Sequence, residues 1–285
     1  MRITLALLAC TLLVVDTQAQ WLNYPTPGLA RTKDGKPDLT APAPKTREGT
    51  PDLSGVWHVQ PTGLAEMKRL FGSDVDTVEV PGMTIDTVSK YGINILADFS
   101  PGTEPIRKDA ADAITKRNQS PSGLDTLSRC LPAGVPLATM LSEVTKIVQT
   151  PGLTLIMHEL DNATRQIYTD GRPLPKDANP SWLGYSIGRW EKDALVVTTT
   201  GFNDKGAIDI IGHPRSESMR ITERYRRRDV GHLDVEITID DPVVYTKPFT
   251  VKTTHLLQAD TDILEYFCNE NERDHPHMVV DQKSF

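Results

Sequence analysis

Two polar side chains in this chain are suited to acid–base chemistry: a glutamate set among apolar residues and a histidine set in a long loop. The glutamate, Glu223, lies in the segment MRITERYRRR, where Met219, Ile221 and Tyr225 alternate in phase with it. Side chains two positions apart share one face of a strand, so Glu223 is predicted to point inward with this apolar set. A buried carboxylate needs a partner or stays protonated. Glu223 is therefore a candidate general acid or base, or a ligand anchor.

The same carboxylate also fits a purely structural role. An arginine such as Arg172 or Arg189 would neutralise Glu223 and close the fold with an ion pair. Ionic networks of this kind shift pKa values in proteins without doing chemistry. Both interpretations stay open from the sequence.

The loop 203–218 is the second candidate region, because its sixteen residues are more than a hairpin needs. It contains Asn203 and Asp204, which are predicted ligand contacts, and Asp209 and His213, which join Glu223 in the predicted catalytic set. His213 stands between a glycine and a proline, and an imidazole fixed in this way suits proton transfer near neutral pH. Alternatively, the two aspartates cap turns and His213 packs on the surface.

Several further side chains are predicted to bind a ligand. His255 alternates in phase with Phe249 and Val251, which places it inside the fold. Glu265 is in phase with Ile263 and Phe267, but the opposite face is equally apolar, so its direction stays open. The remaining predicted contacts are Arg172, Tyr185, Trp190 and Tyr245, and of the two on one strand, Tyr185 and Trp190, only one is expected to face inward.

The elements that must position these residues are short alternating segments separated by turn residues. This pattern is typical of an antiparallel sheet with one buried face. Strands are predicted over 53–60, 146–149, 153–160, 165–169, 183–191, 195–202, 219–228, 233–239, 249–257 and 263–268. About ten sequential strands usually close on themselves, because open sheet edges are hazardous. The predicted fold class is mainly β, an antiparallel meander closed into a lipocalin-like β-barrel.

Two regions precede the meander. Residues 61–140 form a partly helical elaboration, with helices predicted over 64–71 and 104–118. Residues 20–53 form an extended arm with a near-duplication, RTKDGKPDLT and KTREGTPDLS, and turns at Asp34-Gly35 and Glu48-Gly49. The barrel domain is then expected to run from 54 to 285.

The first nineteen residues predict a cleaved signal peptide. Arg2 supplies the positive charge, residues 3–15 are largely apolar, and Thr17-Gln18-Ala19 offers a cleavage site. The apolar run is too short to span a bilayer, so a secreted or periplasmic protein is expected. In an oxidising compartment, Cys130 and Cys268 are expected to form a disulfide, although two separate buried thiols remain an alternative.

Charge and motif content exclude several functional classes. The net charge of −7 argues against nucleic acid as a partner, and the basic run Arg224, Arg226, Arg227, Arg228 is interpreted as a solvated strand face. The chain has no CxxC, HExxH, GxSxG or phosphate-binding glycine loop. The tail pair His275 and His277 is attributed to chance. Neither a metal nor an organic cofactor is predicted.

Two resemblances follow from these strings. Gly55-x-Trp57 resembles the first strand of lipocalin-like barrels, in which the tryptophan plugs the closed end. The strings GTPDLSGVW, RCLPAGVP and WLGYSIGRWE, with GFND, GHP and TERYRRRD after them, resemble a family of exported bacterial proteins, most without an assigned function. The resemblance implies a shared fold and site, and no activity.

The sequence therefore favours a secreted β-barrel that binds a small organic molecule in its cavity. The alternative is a cofactor-independent lyase, isomerase or hydrolase in the same cavity, which requires Glu223 and His213 to converge on one molecule. A structural or partner-binding envelope protein would instead need an exposed apolar patch and a filled barrel.

Overall fold

A computed structural model describes residues 24–77, 88–118, 127 and 130–268, and shows one closed barrel of nine strands in sequence order. The prediction of a mainly β fold closed into a barrel is confirmed. The strands are Gly55–Val59 (β1), Thr145–Thr150 (β2), Leu153–His158 (β3), Thr164–Tyr168 (β4), Tyr185–Glu191 (β5), Ala194–Thr200 (β6), Arg220–Arg227 (β7), His232–Asp240 (β8) and Phe249–Leu257 (β9).

One strand pair departs from the predicted antiparallel order. β4 and β5 pair in parallel, whereas the eight other neighbouring pairs, including β9 with β1, are antiparallel. Strand direction must return to its starting sense around a closed ring, so a nine-stranded barrel needs an odd number of parallel pairs. The connection 169–184 consequently runs from one end of the barrel to the other.

The predicted last strand, 263–268, is wrong. This segment is not a strand, because β1 already pairs with β9 through Trp57–Leu257, His58–Leu256 and Val59–His255 and leaves no edge to extend. Closure of the ring thus removed a strand that the local alternation had favoured.

The inward faces of the strands form the core, as their alternation predicts. β8 alternates along its whole length, with Leu233, Val235, Ile237 and Ile239 buried between half-buried positions. The neighbouring strands add apolar residues such as Ile156, Ile167, Leu195, Val197 and Val251 to the same cluster. Most of the interior wall is therefore aliphatic.

The two ends of the barrel are closed differently. At the hairpin end, short turns join β2 to β3, β5 to β6 and β7 to β8. At the opposite end, here called the capped end, lie the loop 203–218 and the helices that follow β1. Ile210 N donates to Gly92 O over 2.9 Å, which fixes the loop to the helical region.

The helices are Leu64–Phe71 (α1), Lys90–Ile93 (α2) and Lys108–Asn118 (α3), together with 3-10 turns at Ser73–Thr77, Leu137–Thr139 and Leu160–Asn162. The prediction of α1 is confirmed over its full length. The helix predicted over 104–118 begins four residues later, at Lys108. Residues before it are held extended, because Ile106 bridges to Tyr245 and Arg107 N donates to Val244 O.

The duplicated arm segments form two matching turns. Thr32 N donates to Lys36 O over 2.9 Å, and Thr46 N donates to Thr50 O over 2.8 Å. Gly35 and Gly49 have φ angles of 81° and 84°, a conformation that favours glycine. Both predicted turns are therefore present.

A disulfide joins Cys130 to Cys268, as predicted, across 138 residues of sequence. It ties the segment leading into the cap to the chain after β9. The predicted signal peptide lies outside the described residues. Within the described part of the chain, no helix combines the length and apolar character needed to cross a membrane.

Candidate ligand site in the barrel interior

Glu223 points into the barrel, is fully buried, and is held by an arginine from β4. Arg165 donates from Nη1 to Glu223 Oε1 over 2.9 Å and from Nη2 to Oε2. Tyr225 donates its hydroxyl to Oε1 over 2.7 Å. Arg165 also donates to Ser186 Oγ over 3.0 Å and to Thr199 Oγ1 over 2.7 Å. The network joins β4, β5, β6 and β7 across the interior.

The electrostatics of this network are those of a saturated ion pair. Burial lowers the pKa of the Arg165 guanidinium, but the adjacent Glu223 carboxylate more than offsets this, so the pKa is raised. Burial and the same carboxylate raise the pKa of Tyr225. The predicted partners of Glu223, Arg172 and Arg189, are wrong. The partner is Arg165, which is 1% exposed and shares the inward face of β4 with Ile167.

His158 carries a buried polar atom that the fold leaves unpaired. It closes β3, is 2% exposed, and its Nδ1 lies 3.4 Å from Thr145 Oγ1. Its Nε2 is buried and has no hydrogen-bond partner among the described residues. The Ala138 backbone interacts with the ring favourably enough to raise its pKa, although burial outweighs this contribution. Burial and the charge of Arg165 lower the pKa of His158 to about 4, so the ring is neutral at pH 7.

A second imidazole lies nearby on β9. His255 is 6% exposed, as predicted for an inward residue, and its Nε2 lies 3.3 Å from Thr253 Oγ1. Burial, with the neighbouring rings of His58 and His158, lowers the pKa of His255 to about 4. The two buried imidazoles therefore stay uncharged together.

One inward position beside His255 is accessible. The strand register places Thr253 on the inner face with Val235, yet Thr253 is partly exposed, whereas Val251 and His255 on either side of it are buried. β1 pairs with β9 over three residues only and ends at Val59, so the first half of β9 has no β1 partner. We call Thr145, His158, Thr253 and His255 the histidine site.

The Asp209–His213 pair lies in the loop at the capped end. Asp209 is fully buried and accepts hydrogen bonds from the backbone of Ile95, Gly212 and His213 at 2.8–2.9 Å. The same carboxylate lies 2.5 Å from His213 Nδ1. The His213 side chain stays 11% exposed. The carboxylate thus orients the imidazole and also ties the loop to the cap.

The three predicted catalytic residues form two separate groups. Within the described chain, the carboxylate of Glu223 bonds to Arg165 and Tyr225, and the imidazole of His213 bonds to Asp209, with no hydrogen bond between the two groups. The convergence that the enzyme hypothesis requires of Glu223 and His213 is therefore not found.

The other predicted ligand contacts are dispersed. In the loop, Asn203 is buried and accepts from Arg215, whereas Asp204 is exposed. Tyr245 is buried beside Phe249 and donates to Pro214 O over 3.0 Å.

On β5 the register turns Trp190 inward and Tyr185 outward. Arg172 is exposed and donates to the Tyr185 hydroxyl, so this pair lies on the outer face and cannot line the interior. Glu265 is exposed and lies beyond the last strand.

No group of three or more His, Cys, Asp or Glu side chains within the described ranges is arranged to hold a metal ion. The tail histidines His275 and His277 lie outside those ranges.

Comparison of the chain with protein-family models, with curated proteins and with solved structures finds no match. The resemblance to exported bacterial proteins stays a prediction.

Proposed function

We propose that this protein binds a small organic molecule inside its barrel, at the histidine site. The observation that carries the proposal is the buried, unpaired Nε2 of His158. An unmade hydrogen bond at a buried polar atom costs roughly 1–3 kcal/mol, and such atoms are rare in native proteins. A bound molecule that pairs with Nε2 removes this cost.

The surroundings of His158 support a ligand with an apolar skeleton. The interior wall is mostly aliphatic, with Ile147 and Ile156 on the strands that carry Thr145 and His158. Binding pockets for small molecules combine such apolar walls with a few placed polar groups. The partial exposure of Thr253, whose Oγ1 lies 3.3 Å from His255 Nε2, supplies accessible space next to that ring.

Proton transfer at His213 is a second candidate function. With Nδ1 held by Asp209 and the backbone of that loop fixed, Nε2 is oriented as a base or acid for a molecule at the capped end. This activity would be independent of Glu223, unlike the pairing predicted from the sequence.

Export is also proposed, because the Cys130–Cys268 disulfide suits an oxidising compartment. Fractionation of cells that produce the full chain tests it. Recovery of the oxidised protein in the cytoplasmic fraction would contradict export.

Binding is testable with N-phenyl-1-naphthylamine, an uncharged probe that fluoresces in apolar sites. We expect saturable fluorescence with the natural sequence and at least tenfold weaker binding to His158→Gln. His232→Gln is the matched control, because His232 is a partly exposed histidine bonded to Asp229 at the barrel rim. Equal probe affinity in all three proteins would contradict a site at His158.

A further inference from the structure

We infer that the ligand of the histidine site is an uncharged molecule that presents a hydroxyl group to His158. This inference rests on the proposed function and names the ligand class for the same site. Three features of the interior lead to it: the charge balance, the state of the two imidazoles, and the ambiguity of the free ring nitrogen.

The fixed charges of the interior already neutralise each other. Arg165 contacts both carboxylate oxygens of Glu223, and Tyr225 takes a further lone pair of Oε1. An incoming carboxylate therefore finds no free cation in this network, and an incoming ammonium finds no free anion in it. Glu143, two residues before Thr145, has a buried Oε2 without a partner among the described residues, but burial raises its pKa and so favours the uncharged acid. A buried charge without a counter-charge is strongly unfavourable.

The imidazoles do not readily provide a counter-charge. With the pKa of His158 near 4, about one ring in 10³ is protonated at pH 7. Two charged groups act on this ring: Arg165 on β4 lowers its pKa, and Glu223 on β7 raises it by less. His158 in turn lowers the pKa of His255 on β9. Arg165 opposes protonation, so an anion that depends on a charged His158 would bind about 10³-fold more weakly than the ring geometry alone allows.

A hydroxyl group fits the free nitrogen whichever tautomer is present. Thr145 Oγ1 can donate to Nδ1 or accept from it across 3.4 Å, which leaves Nε2 as a donor or as an acceptor respectively. A hydroxyl both donates and accepts, so it pairs with Nε2 in either case. Thr253 offers a second hydroxyl group at the accessible position, beside His255.

The test compares three compounds with one skeleton: 2-naphthylmethanol, 2-naphthoate and 2-naphthylmethylammonium. Each competes with N-phenyl-1-naphthylamine for the full-length protein at pH 7, and a cyclohexylmethyl series repeats the test at smaller size. We expect the alcohol to bind at least tenfold more tightly than the acid or the ammonium. His158→Phe, titrated directly with each compound by isothermal calorimetry because the probe no longer binds it, should abolish this preference, and His158→Gln replaces it if the phenylalanine variant does not fold.

The outcomes separate the inference from the proposed function. If the probe binds at His158 and the carboxylate or the ammonium competes as well as the alcohol in both series, the inference fails while the binding function stands. The same holds if the alcohol is preferred equally without His158, or if no compound of either series displaces the probe. If the probe itself does not bind the natural protein, both are overturned.

Discussion

The middle of the barrel and its two ends each bury an arginine, but they satisfy its charge in different ways. In the middle, Arg165 is paired with Glu223, and its pKa is raised although burial lowers it. At the ends, Arg215 and Arg227 make no ion pair in the described part of the chain, and burial lowers the pKa of each to about 10. The ends use neutral groups instead.

Arg215 binds carbonyl groups from three segments at the capped end. It donates to the backbone carbonyls of Asn203, Val135 and Trp182, at 2.9, 3.4 and 3.1 Å, and to the Asn203 side chain at 2.8 Å. A Cβ on Gly206 would lie 2.6 Å from the guanidinium carbon, so a larger residue there would have to displace the Arg215 head group.

Arg227 likewise binds backbone carbonyls, at the hairpin end. It donates to the carbonyls of Asp52, Ser54, Asp229 and Val230 over 2.6–3.3 Å and lies 4.8 Å above the Trp57 ring. The interpretation of the basic run as a solvated face is therefore wrong at this residue, whereas Arg224 and Arg226 point outward into ion pairs.

The middle and the ends differ because they offer different hydrogen-bond acceptors to a buried guanidinium. Strand backbones in the middle are paired with one another, so only side chains remain to hold a cation there. Loops at the ends leave carbonyls unpaired, and a guanidinium with several donors can collect them. Among the described residues, two buried side-chain atoms are paired neither with side chains nor with carbonyls: His158 Nε2 and Glu143 Oε2. The proposed ligand site is built on the first of them.

The largest expected effect is the loss of the central pair. Glu223→Gln should lower the free energy of unfolding by about 3–5 kcal/mol, because Arg165 is left with an uncompensated charge. Urea unfolding measures this. The double variant Arg165→Met with Glu223→Leu should recover most of the loss, and a single-variant loss below about 1 kcal/mol would contradict the assigned role.

The end arginines should give a smaller loss. Arg215→Lys or Arg227→Lys removes several carbonyl hydrogen bonds at about 1 kcal/mol each, so we expect about 2–3 kcal/mol per substitution in urea unfolding. Arg226→Lys, at an exposed neighbouring position paired with Asp193, is the control and should stay within about 0.5 kcal/mol. Equal losses for Arg226→Lys and Arg227→Lys would show that the buried carbonyl contacts of Arg227 stabilise no more than an exposed ion pair.

Mild acid should weaken the middle of the barrel. The pKa values of His158 and His255 are about 4 in the folded chain against 6.5 when unperturbed, so the unfolded chain takes up more protons as the pH falls below 6.5. Stability is then lost between pH 6.5 and about 4, by about 1 kcal/mol per ring from pH 7 to 5.5.

Urea unfolding at pH 7 and at pH 5.5, of the natural sequence and of His158→Gln and His255→Gln, checks this loss of stability. Each variant should lose about 1 kcal/mol less unfolding free energy between pH 7 and 5.5 than the natural sequence does. The half-buried His58, whose pKa burial also lowers, acts in the same direction, so its glutamine variant is measured alongside.

The smallest effect has the opposite sign. His158→Phe removes the unpaired Nε2, so we expect the unfolding free energy to rise by about 1 kcal/mol while probe binding is lost. A variant that is both less stable and still able to bind would place His158 in the packing and not in the site.

Local alternation was sufficient to predict much of this architecture. It identified the barrel and the inward direction of Glu223 and His255, because a strand with one buried face imposes period two on its own sequence. It did not single out His158, since in LTLIMH the apolar set Leu153, Leu155 and Met157 alternates with Thr154, Ile156 and His158, and phase alone would have turned His158 outward.

The partner of Glu223 was predictable in part. Arg165 alternates with Thr164 and Gln166 on a short strand, and phase alone would have turned it inward beside Ile167. That it reaches across two strands to Glu223 could not be read from the sequence, because that contact depends on barrel closure.

The sequence by itself thus determined the repeating strand pattern and the inward direction of Glu223 and His255, since these depend on neighbours along the chain. The cysteine pair followed from there being two cysteines after the predicted signal peptide. Only the tertiary structure decided the parallel β4–β5 pair, the absence of a tenth strand, the Arg165–Glu223 bond and the unpaired nitrogen of His158. These depend on how the ring closes, and closure brings together residues that no local pattern relates.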